Sequence, residues 1–62
     1  MNDDVVTLEG RKEAETPKAI LIEFTNGPTM WCPRSCIVEM VEKDDTVIFT
    51  IKEWWCRKNK VY

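Results

Sequence analysis

Three cysteines (Cys32, Cys36, Cys56) and three tryptophans (Trp31, Trp54, Trp55) are the residues of this chain whose types could do chemistry. Thiolates hold zinc in tetrahedral sites or attack electrophiles. A structural zinc site shows two closely spaced cysteine pairs, whereas here Cys32 and Cys36 make one pair, Cys56 stands alone and no histidine can complete the set. A nucleophilic cysteine needs a base or a strongly lowered pKa, and the chain has no histidine to serve as that base. Arg34, two residues from both Cys32 and Cys36, is the one charge placed to lower a thiol pKa. The expectation is three reduced, metal-free cysteines packed as small hydrophobes, no cofactor and no enzyme activity.

The tryptophans offer a different chemistry. Trp31, Trp54 and Trp55 together with Arg34, Arg57, Lys58 and Lys60 form a constellation that could read a ligand, because aromatic faces stack on bases while cations hold phosphates. Tryptophan and arginine are also the residues that dominate protein interfaces. Two tryptophans in succession must in part fill the end of a small domain, so two of the three are expected in or against the core. The third, Trp54 or Trp31, is expected at the surface. The candidate binding residues are therefore Trp31, Arg34, Trp54, Arg57, Lys58 and Lys60.

Short β-strands must position these groups. Val5, Val6 and Leu8 make a first run, with Gly10 as a bulge or bend before the charged stretch Arg11 to Glu15 and a turn at Thr16-Pro17. Ala19 to Thr25 is the best candidate for a central strand, with Ile20, Ile22 and Phe24 on one face and Leu21 on the other. Asn26-Gly27 signals a hairpin, since both residues tolerate the positive φ of a type I′ turn, and Pro28 after it points to a slightly longer loop. Thr29 to Cys32 returns as a third strand that Pro33 stops, with a corner at Arg34-Ser35.

Ile37 to Val41 and Thr46 to Ile51 supply two more strands around the polar turn Glu42 to Asp45, the second placing Val47, Phe49 and Ile51 on one face. From Lys52 the period changes, and Glu53 early with Arg57 and Lys58 late suits a short helix aligned with its dipole. The fold class expected is all-β or β-rich: a five-stranded SH3-like or OB-like small barrel closed by a C-terminal helical turn. A three- to four-stranded antiparallel sheet with one helix, an α+β arrangement, is the alternative. Residues 1 to 4 are expected to fray and residues 5 to 62 to form one domain.

At 62 residues the chain can hold only a small core worth about 3 to 5 kcal/mol, so a disulfide, a metal or a second copy of the chain would add usefully to its stability. The net charge of −2 opposes coating of duplex DNA. Acids dominate up to Trp31, whereas the tail from Lys52 onward carries four bases against Glu53 alone. No apolar stretch approaches the about 20 residues of a membrane span, and the N-terminus lacks the pattern of a signal peptide, so a cytoplasmic protein is expected.

Lys18-Ala19 with the aliphatics that follow, Trp31-Cys32-Pro33-Arg34-Ser35-Cys36-Ile37 and Ile51-Lys52-Glu53-Trp54 together resemble a pattern of short proteins encoded by phages, prophages and plasmids. Those proteins show Trp, an aliphatic, Pro, Lys or Arg, Ser and Ile at this spacing. Cys32 stands where an aliphatic is more usual, and Lys52 where a proline often opens the helix. The resemblance implies mobile-element origin and a host cytoplasm, and it carries no activity. The functional expectation is a non-enzymatic binding module that contacts, and inhibits or modulates, a larger host or phage protein machine. A single-stranded nucleic-acid binder using tryptophan stacking and the basic C-terminal patch is the alternative.

Overall fold

The computed structural model describes residues 4 to 61. Five strands and one helix follow in order: β1 (Val5–Glu15), β2 (Ala19–Phe24), β3 (Thr29–Pro33), a 3₁₀ turn (Arg34–Cys36), β4 (Ile37–Lys43), β5 (Thr46–Lys52) and α1 (Glu53–Asn59). All pairings are antiparallel, in the sheet order β3-β2-β1-β5-β4. Of the expected frayed residues, 1 to 3 lie outside the described part.

The hinge of the fold is Gly10. It pairs with Phe24 on one side and Val47 on the other, so β1 gives its first half to β5 and its second half to β2. A Cβ at Gly10 would lie 2.7 Å from the Glu23 carbonyl oxygen and 3.1 Å from Ile22 Cγ2, a space only glycine leaves open. The sheet bends there, and its two halves face each other across one core.

The alternating apolar positions of β2 and β5 fill that core as expected. Ile20, Ile22, Phe24, Val47, Phe49 and Ile51 are all buried, and Cys32, Cys36, Trp55, Cys56 and Val61 join them. Val6, Leu8, Met30, Ile37 and Met40 pack around the rim.

Several expectations are corrected. The charged stretch from Arg11 to Glu15 is strand, because every one of its side chains can stay exposed while its backbone pairs with β2, with a bulge between Lys12 and Ala14. The barrel does not close: among the described residues β3 and β4 are edges with no ladder between them. Pro33, which cannot donate, and the 3₁₀ turn after it carry the chain from one edge to the other without pairing them.

The turn after β2 is not type I′, since no described glycine has positive φ. The Gly27 N–H donates to the Phe24 carbonyl at 3.2 Å, which puts Thr25 and Asn26 at the turn's centre and Gly27 at its exit. Pro28 restricts the residue before it, and a Cβ on Gly27 would come within 2.9 Å of the Val61 carbonyl oxygen, so glycine is used there for close approach.

Helix α1 forms where expected and ends in a Schellman motif. Lys60 takes the left-handed conformation (φ 55°), its N–H bonds to the Arg57 carbonyl at 3.3 Å, and the Val61 N–H bonds to the Cys56 carbonyl at 3.1 Å. That reversal returns the buried Val61 to the core. Asn59 Nδ2 donates to the Trp55 carbonyl at 2.8 Å and ties its side chain back onto the preceding turn. No helix among the described residues is long and apolar enough to cross a membrane.

Candidate functional site

Strand alternation sends Cys32 into the core and Trp31 out of it. Trp31 is 47% exposed. Its β2 partner is Leu21, whose β1 partner is Ala14, so the three form one cross-strand row on the outer face of β1, β2 and β3. The next outward row pairs Ala19 with Pro33. Five apolar side chains thus lie together on an outer surface, bordered on one side by the polar row Arg11, Glu23 and Thr29.

The opposite border is fixed by Arg34. Its Nε donates to the Thr16 carbonyl at 3.0 Å, its guanidinium lies 3.3 Å from Glu15 Oε1, and its backbone N–H donates to the Lys18 carbonyl at 2.9 Å. Thr16 is itself locked, its hydroxyl oxygen accepting from the Ala19 N–H at 3.0 Å and the Lys18 N–H at 3.3 Å. Lys12, 3.3 Å from the same Glu15 oxygen, and Arg34 together hold that carboxyl below its ordinary pKa. Arg34 is therefore a clamp that joins the β3 exit to the β1–β2 turn, with part of its guanidinium still facing solvent.

The other candidates lie on α1. Trp54 is 46% exposed while its neighbour Trp55 is buried. Two of the three tryptophans are thus at the surface rather than one. Lys58, four residues on, shares the helical face of Trp54, and Arg57 pairs with Glu53 at 3.0 Å. Lys60 is exposed in the helix cap. The six candidates fall into two groups, Trp31 with Arg34 on β3 and the 3₁₀ turn, and Trp54 with Arg57, Lys58 and Lys60 on and just after the helix.

The cysteines come from β3, the 3₁₀ turn and α1, and all three are buried and unbridged. Burial pushes the Cys32 thiol up to about 12 and the Cys56 thiol up to about 11, with the neighbouring thiols adding to the rise. Such thiols stay protonated and are poor nucleophiles. Among the described residues no three His, Cys, Asp or Glu side chains are grouped so as to hold a metal ion.

No protein-family model, no curated protein and no solved structure matches the chain. Sequence reasoning singled out Trp31 and Arg34 but missed Ala14, Ala19, Leu21 and Pro33, which make Trp31 part of a surface. Counting the β1–β2 register outward from the Thr16-Pro17 turn would have paired Ala14 with Leu21 and exposed the row.

Proposed function

We propose that this protein is a non-enzymatic binding module that docks a larger protein through the outer face of β1, β2 and β3, with Trp31 as its anchor. The observation that carries the reading is the row Ala14, Leu21 and Trp31 beside Ala19 and Pro33, an apolar surface centred on a half-exposed tryptophan. A large, stiff aromatic with an arginine at its border is the composition of an interface hot spot. The clamp at Arg34 and Thr16 pre-orders the surface, which lowers the entropy lost on docking.

A photo-crosslinking residue at position 31, compared with one at the exposed Val5, tests this in a cell lysate with and without nuclease. A discrete protein crosslinked from position 31 and not from position 5, and lost from a Trp31→Ala chain carrying the crosslinker at position 21, supports the reading. Capture that disappears with nuclease rejects it.

The arrangement of Trp54 and Lys58 on one helical face favours a second reading, stacking and charge contact with a single nucleic-acid strand. That reading expects tryptophan quenching by a short single strand, steep weakening with salt, and loss in Lys58→Glu/Lys60→Glu. The net charge of −2 works against it.

A further inference from the structure

The two sheet edges are not equivalent. The β3 edge has five residues and ends on Pro33, which has no N–H to offer a neighbour. The β4 edge has seven residues and no proline, and it exposes Val38 (58%) and Val41 (45%). Among the described residues only β5 pairs with it, so its far side presents unpaired backbone groups.

Charges on an edge strand ordinarily keep other strands away. On β4 they are arranged so that another β4 is accepted. Glu39, Val41 and Lys43 share the outer face with their β5 partners Thr50, Ile48 and Thr46. Directly opposed residues of an antiparallel pair point to the same face, so a two-fold pairing of β4 with itself must centre on a residue. Centred on Val41, it sets Val41 against Val41, each Glu39 against the other copy's Lys43 and each Met40 against the other copy's Glu42, giving two opposite-charge pairs and no like-charge pair. Centred on Glu39 or on Glu42, it sets that glutamate against its own copy. Centred on Met40, it leaves both glutamates opposite valines and Lys43 opposite Ile37, with no opposite-charge pair. The charge pattern therefore selects one register. Among the described residues neither Glu39 nor Lys43 has an ion-pair partner.

We infer that the β4 edge is a self-association surface whose occupant is a second copy of this chain, paired antiparallel about Val41 with reciprocal Glu39–Lys43 contacts. The pairing extends the sheet from five strands to ten and places the outer Val41 and Ile48 of each copy side by side. It uses the edge opposite β3, so it stands independently of the Trp31 surface.

Sedimentation velocity across a concentration series tests the inference with a charge-swap pair, folding being checked by circular dichroism. The parent chain should show reversible, concentration-dependent dimer. Glu39→Lys alone sets lysine against Lys43, and Lys43→Glu alone sets glutamate against Glu39, so each should weaken dimerisation by about tenfold or more. Mixing the two variants in equal amounts restores both opposite-charge pairs and should return the dimer. The double variant Glu39→Lys/Lys43→Glu should dimerise like the parent. A parent that stays monomeric at every concentration overturns the inference. So does a dimer indifferent to either single swap, or variants that do not assemble when mixed.

Discussion

The two halves of the sheet share one interior and differ on their outer faces. Behind β2 and β3 the surface is aromatic and rimmed by a fixed arginine, through Ala14, Leu21, Trp31 and Arg34. Behind β5 and β4 it carries threonines and β-branched aliphatics with alternating charge, through Thr7, Thr50, Ile48, Glu39 and Val41. The first arrangement suits an unlike partner that buries an anchor, and the second suits a strand of like sequence. One 62-residue chain can thus present two surfaces because the bend at Gly10 turns their backs to a common core.

The comparison breaks completely if that common core is removed. Phe49, fully buried with Leu8 and Met40 as its ladder partners, belongs to the one core cluster that residues of both halves build. Phe49→Ala should cost about 3 to 5 kcal/mol, close to the whole stability of so small a domain. Circular dichroism should show a chain largely unfolded at room temperature; a cooperative melt within a few degrees of the parent would reject the shared core.

Next in size is the hinge. Gly10→Ala drives a Cβ against the Glu23 carbonyl, a backbone atom that cannot move aside without opening the β1–β2 ladder. A loss of about 1 to 3 kcal/mol is expected in urea unfolding. An unchanged midpoint would mean that the halves do not meet as tightly as described.

Alkaline pH loads the shared core, where buried thiols from β3 (Cys32) and α1 (Cys56) meet. In the unfolded chain Cys32 and Cys56 ionise near the ordinary value of 9.0, while in the folded chain Cys56 and Cys32 hold their protons to about 11 and about 12. The unfolded state therefore loses protons first, and stability should be intact below pH 9 and decline between 9 and 11. The unfolding midpoint across that range, steeper in the parent than in Cys32→Ala/Cys56→Ala, is the measurement. Equal slopes would show that the thiols do not stay protonated in the fold.

The smallest stability effect sharpens the comparison most. Trp31→Ala truncates a side chain that points away from the core, so it should change stability by under about 1 kcal/mol while abolishing capture of the protein partner. A large loss of stability would make Trp31 a packing residue and leave the aromatic face without a docking role.

How legible each half was follows from the physics that shaped it. The alternation in Ala19 to Phe24 and Thr46 to Ile51 identified the core, since a half-buried strand shows its period in residue type. Arg11 to Glu15 hid its strand because an exposed stretch needs no apolar period and its pairing with β2 is a long-range matter. Trp31 and Trp54 looked like competitors for one exposed place, because residue type cannot say which side of a strand or helix meets solvent until the register is known. Barrel closure was expected from strand number, but it depends on whether β3 and β4 meet, and Pro33 with the turn behind it keeps them apart.

The division of β1 at Gly10 also sets an order of assembly. β1, β2 and β3 are neighbours along the chain as well as in the sheet, and β4 and β5 form a hairpin of their own. The ladder of Val5 to Gly10 with Val47 to Lys52 is different, because it must close a loop that contains most of the protein. Loop closure of that length is entropically expensive before any contact rewards it, so the N-terminal meander and the C-terminal hairpin are expected to form first and to zip together last through the first half of β1. Until that last ladder closes, Val6 and Leu8 have no core to enter, and the β1-facing edge of β5 lies within reach of another chain.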